Sequence, residues 1–111
     1  DRFGLKGVRA HGANKHEVKI VGLCCGSGGG DLDDAIKAGA DVFVTGEMRY
    51  SAMLEAVQSN VAVIEIGHYH SEKIIIPVLV NELRNWAQGL QNVLEVIEFM
   101  DDGTIADIIA R

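Results

Sequence analysis

Residues 41–72 read DVFVTGEMRYSAMLEAVQSNVAVIEIGHYHSE, and this stretch decides the fold. Residues 41–45 are a short apolar run, residues 49–58 carry Met53, Leu54 and Val57 at helical spacing, and residues 61–66 are a second apolar run rich in β-branched side chains. Strand, helix and strand in so short a span imply a right-handed βαβ unit with parallel strands. Upstream, residues 18–23 repeat the apolar type and read as a central strand. Glycines at 26–30 break that strand, and residues 31–38 follow as a helix that Asp31 is placed to cap and Gly39 to end. Residues 7–11 read as a short edge strand and residues 12–15 as a turn. Downstream, a long helix is expected between residues 70 and 88, with Leu79, Leu83 and Trp86 on one face. Pro77, which has no N–H for an interior helix bond, should start that helix or kink it. Residues 93–99 and 104–109 read as two strands joined at Asp101-Asp102-Gly103. The expected fold is α/β: one domain over residues 1–111, three-layered, with a mainly parallel or mixed sheet flanked by helices on both faces and a C-terminal β-hairpin.

The composition supports a globular chain. Of 111 residues, 48% are hydrophobic and 23% charged, enough to bury a modest core. The net charge of -6 and the scatter of the ten basic residues argue against a nucleic-acid grip, which needs clustered Lys and Arg. Cys24 and Cys25 are adjacent, so neither bridges the other without severe strain. A chain without a disulfide framework fits a reducing, cytoplasmic setting. No apolar run approaches the roughly 20 residues of a membrane helix. The sequence opens on Asp1 instead of Met, which suits a processed or excised chain.

In a parallel α/β sheet, ligands bind beyond the carboxyl ends of the strands. That rule selects three loops here: residues 25–30 (Cys-Gly-Ser-Gly-Gly-Gly), 45–50 (Thr-Gly-Glu-Met-Arg-Tyr) and 67–72 (Gly-His-Tyr-His-Ser-Glu). The glycine loop, with Gly26, Ser27 and Gly28, offers N–H groups that suit an anion. It lacks a dinucleotide fingerprint, because Asp31 stands where glycine is needed, and it lacks a Walker ending. A tight turn that lets strand and helix pack closely explains the same residues and is the preferred reading. His68 and Glu72 are four apart, which puts both on one helix face within reach of a common point. An imidazole nitrogen with a carboxylate oxygen suits Zn, Mn or Fe, but two ligands make an incomplete site. On spacing alone, an ordinary His–Glu pair, or a helix cap in which Ser71 or the Glu72 carboxylate caps the long helix, is preferred. Thr45, Glu47 and Arg49 are candidates for contacting an anion or substrate, Glu47 and Arg49 as an acid–base and anion-binding pair, although Arg49 is most simply an ordinary ion-pair partner near the start of its helix. His70 falls off the His68–Glu72 face. Cys24, Cys25, Met48, Met53 and Trp86 are most simply packing residues.

Read in order, Cys-Gly-Ser-Gly-Gly, Gly-Ala-Asp-Val-Phe-Val-Thr-Gly-Glu-Met-Arg-Tyr and Gly-His-Tyr-His-Ser-Glu resemble the C-terminal half of the NIF-three-like family, whose members are also described as GTP cyclohydrolase type-one, class-two homologues. Residues 8–84 follow the pattern, and the tail after Gln88 matches it less well. The resemblance implies a dinuclear metal site in which His68 and Glu72 are two of the ligands, which reverses the preference that spacing alone supports. The family's other ligands, a tandem His pair and an Asp, belong to an N-terminal half. No His-His pair occurs here, so the divalent metal (Zn, Mn or Fe) is expected to be incompletely held or absent in this chain taken alone. Family members commonly have Asp, then Lys, then a His after the Tyr, where this chain has Glu47, Arg49 and Ser51. The resemblance further implies an α/β fold, hydrolase-type chemistry on a nucleotide or phosphate-containing small molecule, and self-association as a homo-oligomer, since members form ring-shaped hexamers. The alternative function is a non-catalytic oligomerisation or scaffold domain that lacks a complete metal site.

Overall fold

A computed structural model describes residues 5–12, 17–90 and 94–100. The chain divides into two compact units, one ending at Glu72 and the other beginning at Lys73.

In the first unit, the strands are β1 (Arg9–His11), β2 (Val21–Ser27), β3 (Val42–Glu47) and β4 (Ala62–Glu65), and the helices are α1 (Leu32–Lys37), α2 (Tyr50–Gln58) and α3 (His68–Glu72). The strand order is β1-β4-β3-β2. β2, β3 and β4 run parallel, while β1 pairs antiparallel with β4. The result is a mixed four-stranded sheet with helices packed around it, the α/β fold that the apolar runs predict. The core lies where Leu32 and Ala35 of α1 and Ala56 of α2 meet Phe43 and Val63 of the sheet, with Ala40, Met48 and Val61 completing the cluster. Small side chains allow this close approach. A Cβ at Gly22 would stand 2.9 Å from the Phe43 ring.

Several expectations change in detail. The run at 18–23 is not a central strand, because β2 begins at Val21 and ends the strand order among the described residues. Its Val21 and Leu23 are exposed, at 56% and 67%. The centre goes to β3 and β4, which have neighbours on both sides. The glycines do not stop β2 at Gly26. A register irregularity between Cys24 and Ser27 lets the strand continue, and Ser27 pairs with Glu47. Asp31 occupies the cap position of α1 without a side-chain cap bond, since its carboxylate instead accepts the Cys24 thiol at 3.0 Å. Gly39, at φ +73°, ends the helix as expected. On α2 the buried residue is Ala56; Met53 packs against the core, while Leu54 and Val57 are exposed.

The second unit holds a 3₁₀ turn (Lys73–Ile75) and α4 (Ile76–Ala87). Pro77 sits in the first turn of α4, so it starts the helix and does not kink it. Arg84 donates to the carbonyl of Val96 from Nη2 at 3.1 Å and from Nε at 3.3 Å. Trp86 is 60% exposed and is therefore not the packing anchor expected of it. Residues 94–100 belong to no helix or strand, so the first arm of the expected hairpin is not formed there. Its turn and second arm lie outside the described residues. Among the described residues, no helix is long and apolar enough to cross a membrane.

Candidate metal centre

The carboxyl ends of β2, β3 and β4 bring the three loops together. Beyond β4 the chain turns at Gly67, whose φ of +89° suits glycine, and enters α3 at His68. The Ile66 N–H donates to the Thr45 carbonyl and the Gly67 N–H to the Gly46 carbonyl, both at 2.9 Å, so β3 and the end of β4 are zipped up to the start of α3. A Cβ at Gly46 would stand 2.9 Å from the His68 Cα and 2.7 Å from Ser71 Oγ. Only glycine lets the helix sit this close to β3.

The glycine turn is held from inside. Gly26, at φ +66°, donates its N–H to Ser71 Oγ at 2.8 Å. Gly28 donates its N–H to Thr45 Oγ1 at 3.0 Å, and that hydroxyl in turn donates to the Gly26 carbonyl at 3.3 Å. Thr45 and Ser71 are both buried. The N–H groups of Gly26 and Gly28 are thus spent within the protein and are not free to grip an anion. Ser27 and Arg49 are exposed, and Arg49 has no ion-pair partner among the described residues.

His68 and Glu72 face one another across one turn of α3. Nε2 of His68 lies 3.3 Å from Oε1 of Glu72. On the other edge of the ring, Nδ1 lies 3.0 Å from Oε1 of Glu47. All three side chains are about half exposed, at 44%, 53% and 54% for His68, Glu72 and Glu47. A Cβ at Gly26 would collide with Glu72 Oε1 and stand 3.3 Å from His68 Nε2, so the pair lies directly against the glycine turn. Hydrogen bonding to Glu47 raises the His68 pKa above its ordinary 6.5; loss of hydration opposes this, and the Glu72 and Glu47 charges add to it. His70 stands apart, its ring edge-on to Tyr69 at 5.6 Å.

The pair fits a cation. Two donors about 2.0–2.1 Å from a tetrahedral ion are about 3.3 Å apart, which is the separation of His68 Nε2 and Glu72 Oε1. Two ligands are not a shell, however. Among the described residues, no group of three or more His, Cys, Asp or Glu side chains could hold a metal ion. Glu47 approaches the opposite ring nitrogen, where a carboxylate orients a ligating imidazole. Ser71, offered by the sequence only as a helix cap, instead joins β2 to α3. Its three-residue spacing from His68, whose carbonyl it binds at 2.7 Å, was the available signal.

Elsewhere on this rim, Glu65 is a buried carboxylate. It accepts the Met48 N–H at 2.9 Å and lies 3.3 Å from Arg9 Nε and 3.1 Å from His11 Nε2. Cys24, half-buried, has its pKa pushed up to about 11, first by its hydrogen bond to Asp31 and then by burial. Cys25 is exposed and is not the small buried residue expected of it.

The His–Glu pair thus stands beyond the carboxyl ends of the parallel strands of a mixed α/β sheet, the place where open α/β sheets bind ligands. The chain belongs to the Duf34/NIF3 (NGG1p interacting factor 3) family, matched over residues 1–103. A Campylobacter jejuni relative named GTP cyclohydrolase 1 type 2 homolog is 32% identical over 84 residues, which are 76% of this chain and 34% of the relative. A Staphylococcus aureus (strain Mu50) relative of the same name is 35% identical over 85 residues, 77% of this chain and 23% of the relative. Among solved structures, a Bacillus cereus protein related to NIF3 superposes with a TM-score of 0.75 at 25% identity, covering 95% of this chain and 29% of that one. A Staphylococcus aureus hypothetical protein superposes with a TM-score of 0.66 at 32% identity, covering 78% and 29%. The chain therefore spans about a third or less of the length of these relatives.

Proposed function

We propose that this chain supplies two ligands, His68 and Glu72, to a divalent metal centre (Zn, Mn or Fe) that becomes dinuclear when further ligands complete it, and that the centre serves hydrolase-type chemistry on a nucleotide or other phosphate-containing small molecule. The observation that carries the reading is the 3.3 Å separation of His68 Nε2 and Glu72 Oε1, half exposed beside the glycine turn. The relatives' shared name, GTP cyclohydrolase 1 type 2 homolog, supports the substrate class. When bound, such an ion supplies Lewis acidity and makes water a nucleophile near neutral pH. The residues of this chain hold and orient it, and the exposed Arg49 is the nearby cation for a substrate phosphate. The test is Mn titrated into the labelled chain and followed by NMR. Paramagnetic broadening should centre on the amides of Gly26, His68 and Glu72 and vanish in His68→Ala. Uniform broadening, or the same pattern in the variant, would refute the proposal.

A second reading, a non-catalytic oligomerisation or scaffold domain, is favoured by one observation: Val21 and Leu23 are exposed on β2, whose outer edge is unpaired among the described residues. Such an edge is a template for association. Under this reading the chain is a homo-oligomer by light scattering and gains no stability from metal. A monomer that binds metal excludes it.

A further inference from the structure

We propose that Glu47 is the positioning residue of the site: it accepts the hydrogen bond from His68 Nδ1–H, which keeps the proton on Nδ1 and leaves the Nε2 lone pair toward Glu72 and a shared cation. The inference deepens the metal reading and rests on it for its purpose, though not for its geometry. Nδ1 stands 3.0 Å from Glu47 Oε1, closer than the 3.3 Å between Nε2 and Glu72 Oε1. A neutral imidazole carries one proton, and the nitrogen with the better acceptor keeps it. A ligating histidine needs its other nitrogen held in this way.

The backbone around Glu47 is fixed on both sides. Before it, the Thr45 and Gly46 carbonyls accept N–H groups from Ile66 and Gly67, and Thr45 Oγ1 binds the glycine turn. After it, the Met48 N–H is held at 2.9 Å by the buried Glu65 carboxylate. Opposite it, Gly46 has no Cβ to push His68 away. Glu47 thus reaches the imidazole from a rigid strand end, which is what an orienting group requires.

The experiment uses the metal-free chain, labelled with ¹⁵N, at alkaline pH where the ring is neutral. Long-range ¹H–¹⁵N spectra, with His68→Gln assigning the signals, report which ring nitrogen is protonated. The wild type should show a protonated Nδ1 and a bare Nε2. In Glu47→Ala, Glu72 is the remaining acceptor and the proton should move to Nε2. In Glu47→Gln, a neutral amide oxygen competes with the Glu72 carboxylate, so the wild-type pattern should return only in part. Zn affinity by calorimetry should then fall about 10–100-fold in Glu47→Ala and by less in Glu47→Gln. A protonated Nε2 in the wild type, or a pattern and affinity untouched by Glu47→Ala, overturns the role of Glu47. The expected proton shift in a chain that binds no Zn upholds the role of Glu47 and sinks the metal reading instead, so the two failures are told apart.

Discussion

Ser71 Oγ accepts the Gly26 N–H at 2.8 Å and donates to the His68 carbonyl at 2.7 Å, tying the end of β2 to the first turn of α3. The hydroxyl is buried, and a Cβ at Gly46 would stand 2.7 Å from it. Ser71→Ala leaves a buried N–H without an acceptor and should cost about 1–3 kcal/mol. Urea unfolding should show a lower midpoint at an unchanged slope. A midpoint equal to the wild type's would show that the turn finds another partner.

Gly26 tests the same junction by strain. Its φ of +66° is a conformation that side chains resist, and a Cβ there meets the Glu72 carboxylate. Gly26→Ala should destabilise by about 1–2 kcal/mol and push Glu72 away from His68, abolishing localised Mn broadening. Gly30 is the control, since a Cβ there meets nothing within 4 Å. Gly30→Ala should stay within about 0.5 kcal/mol and leave Mn broadening intact. Equal effects at both glycines would deny Gly26 its special place.

The three loops were legible because strands 41–45 and 61–66 are short, apolar and joined by one helix, so their carboxyl ends had to face one way. His68 and Glu72 were legible because helical spacing is local. What depends on partners far along the chain was not. Residues 18–23 are as apolar as a central strand, yet strand order follows from hydrogen bonds to Asp41 and β3 that no local run encodes: Asp41 Oδ2 accepts the N–H groups of Lys19 and Ile20 at 2.9 Å each. Leu54 and Val57 look like a core face, but the sheet needed a helix close by, and Ala56 gives that closeness. Glu47 was noted as an acid–base partner of Arg49; its place at His68 needs the Gly46 contact, which is visible only in three dimensions.

Glu65 should dominate the stability of the β1 edge. It lies opposite Arg9 in the antiparallel register and is 2% exposed at the side chain, against 75% for Arg9. Glu65→Ala strands the buried Met48 N–H and takes the partner from the His11 ring, and should cost about 1–3 kcal/mol. Arg9→Ala removes a solvent-screened partner and should cost under about 1 kcal/mol. Glu65→Gln keeps the Met48 acceptor and should fall between them. Chemical denaturation of the three variants checks the order, and an Arg9→Ala loss as large as that of Glu65→Ala would contradict it.

The two cysteines should separate by reactivity. The thiolate is the nucleophile, and Cys24 holds its proton up to about 11 because its thiol donates to Asp31. At mildly alkaline pH, a thiol reagent should label Cys25 at least about ten times faster than Cys24. Asp31→Asn should narrow the gap by lowering the Cys24 pKa. Peptide mapping by mass spectrometry reads both rates, and equal labelling in the unsubstituted chain would exclude the thiol–carboxylate bond.

His68 sets the pH dependence of the site, with opposite signs for stability and for metal. Its folded pKa is raised above the ordinary 6.5, chiefly by Glu47. The stabilisation from the charged ring is therefore complete below 6.5 and is lost as pH rises through the folded value. Exposure of the ring keeps that contribution small. Metal needs the bare nitrogen, so the proton competes with it, and affinity should grow as pH climbs through the same folded value and then level off. Imidazole titration by NMR should place the midpoint above 6.5 in the wild type and lower in Glu47→Ala. Calorimetric Zn affinity should follow each protein's own midpoint. Affinity that is flat with pH across the titration would mean that Nε2 of His68 is not a ligand, whatever its distance from Glu72.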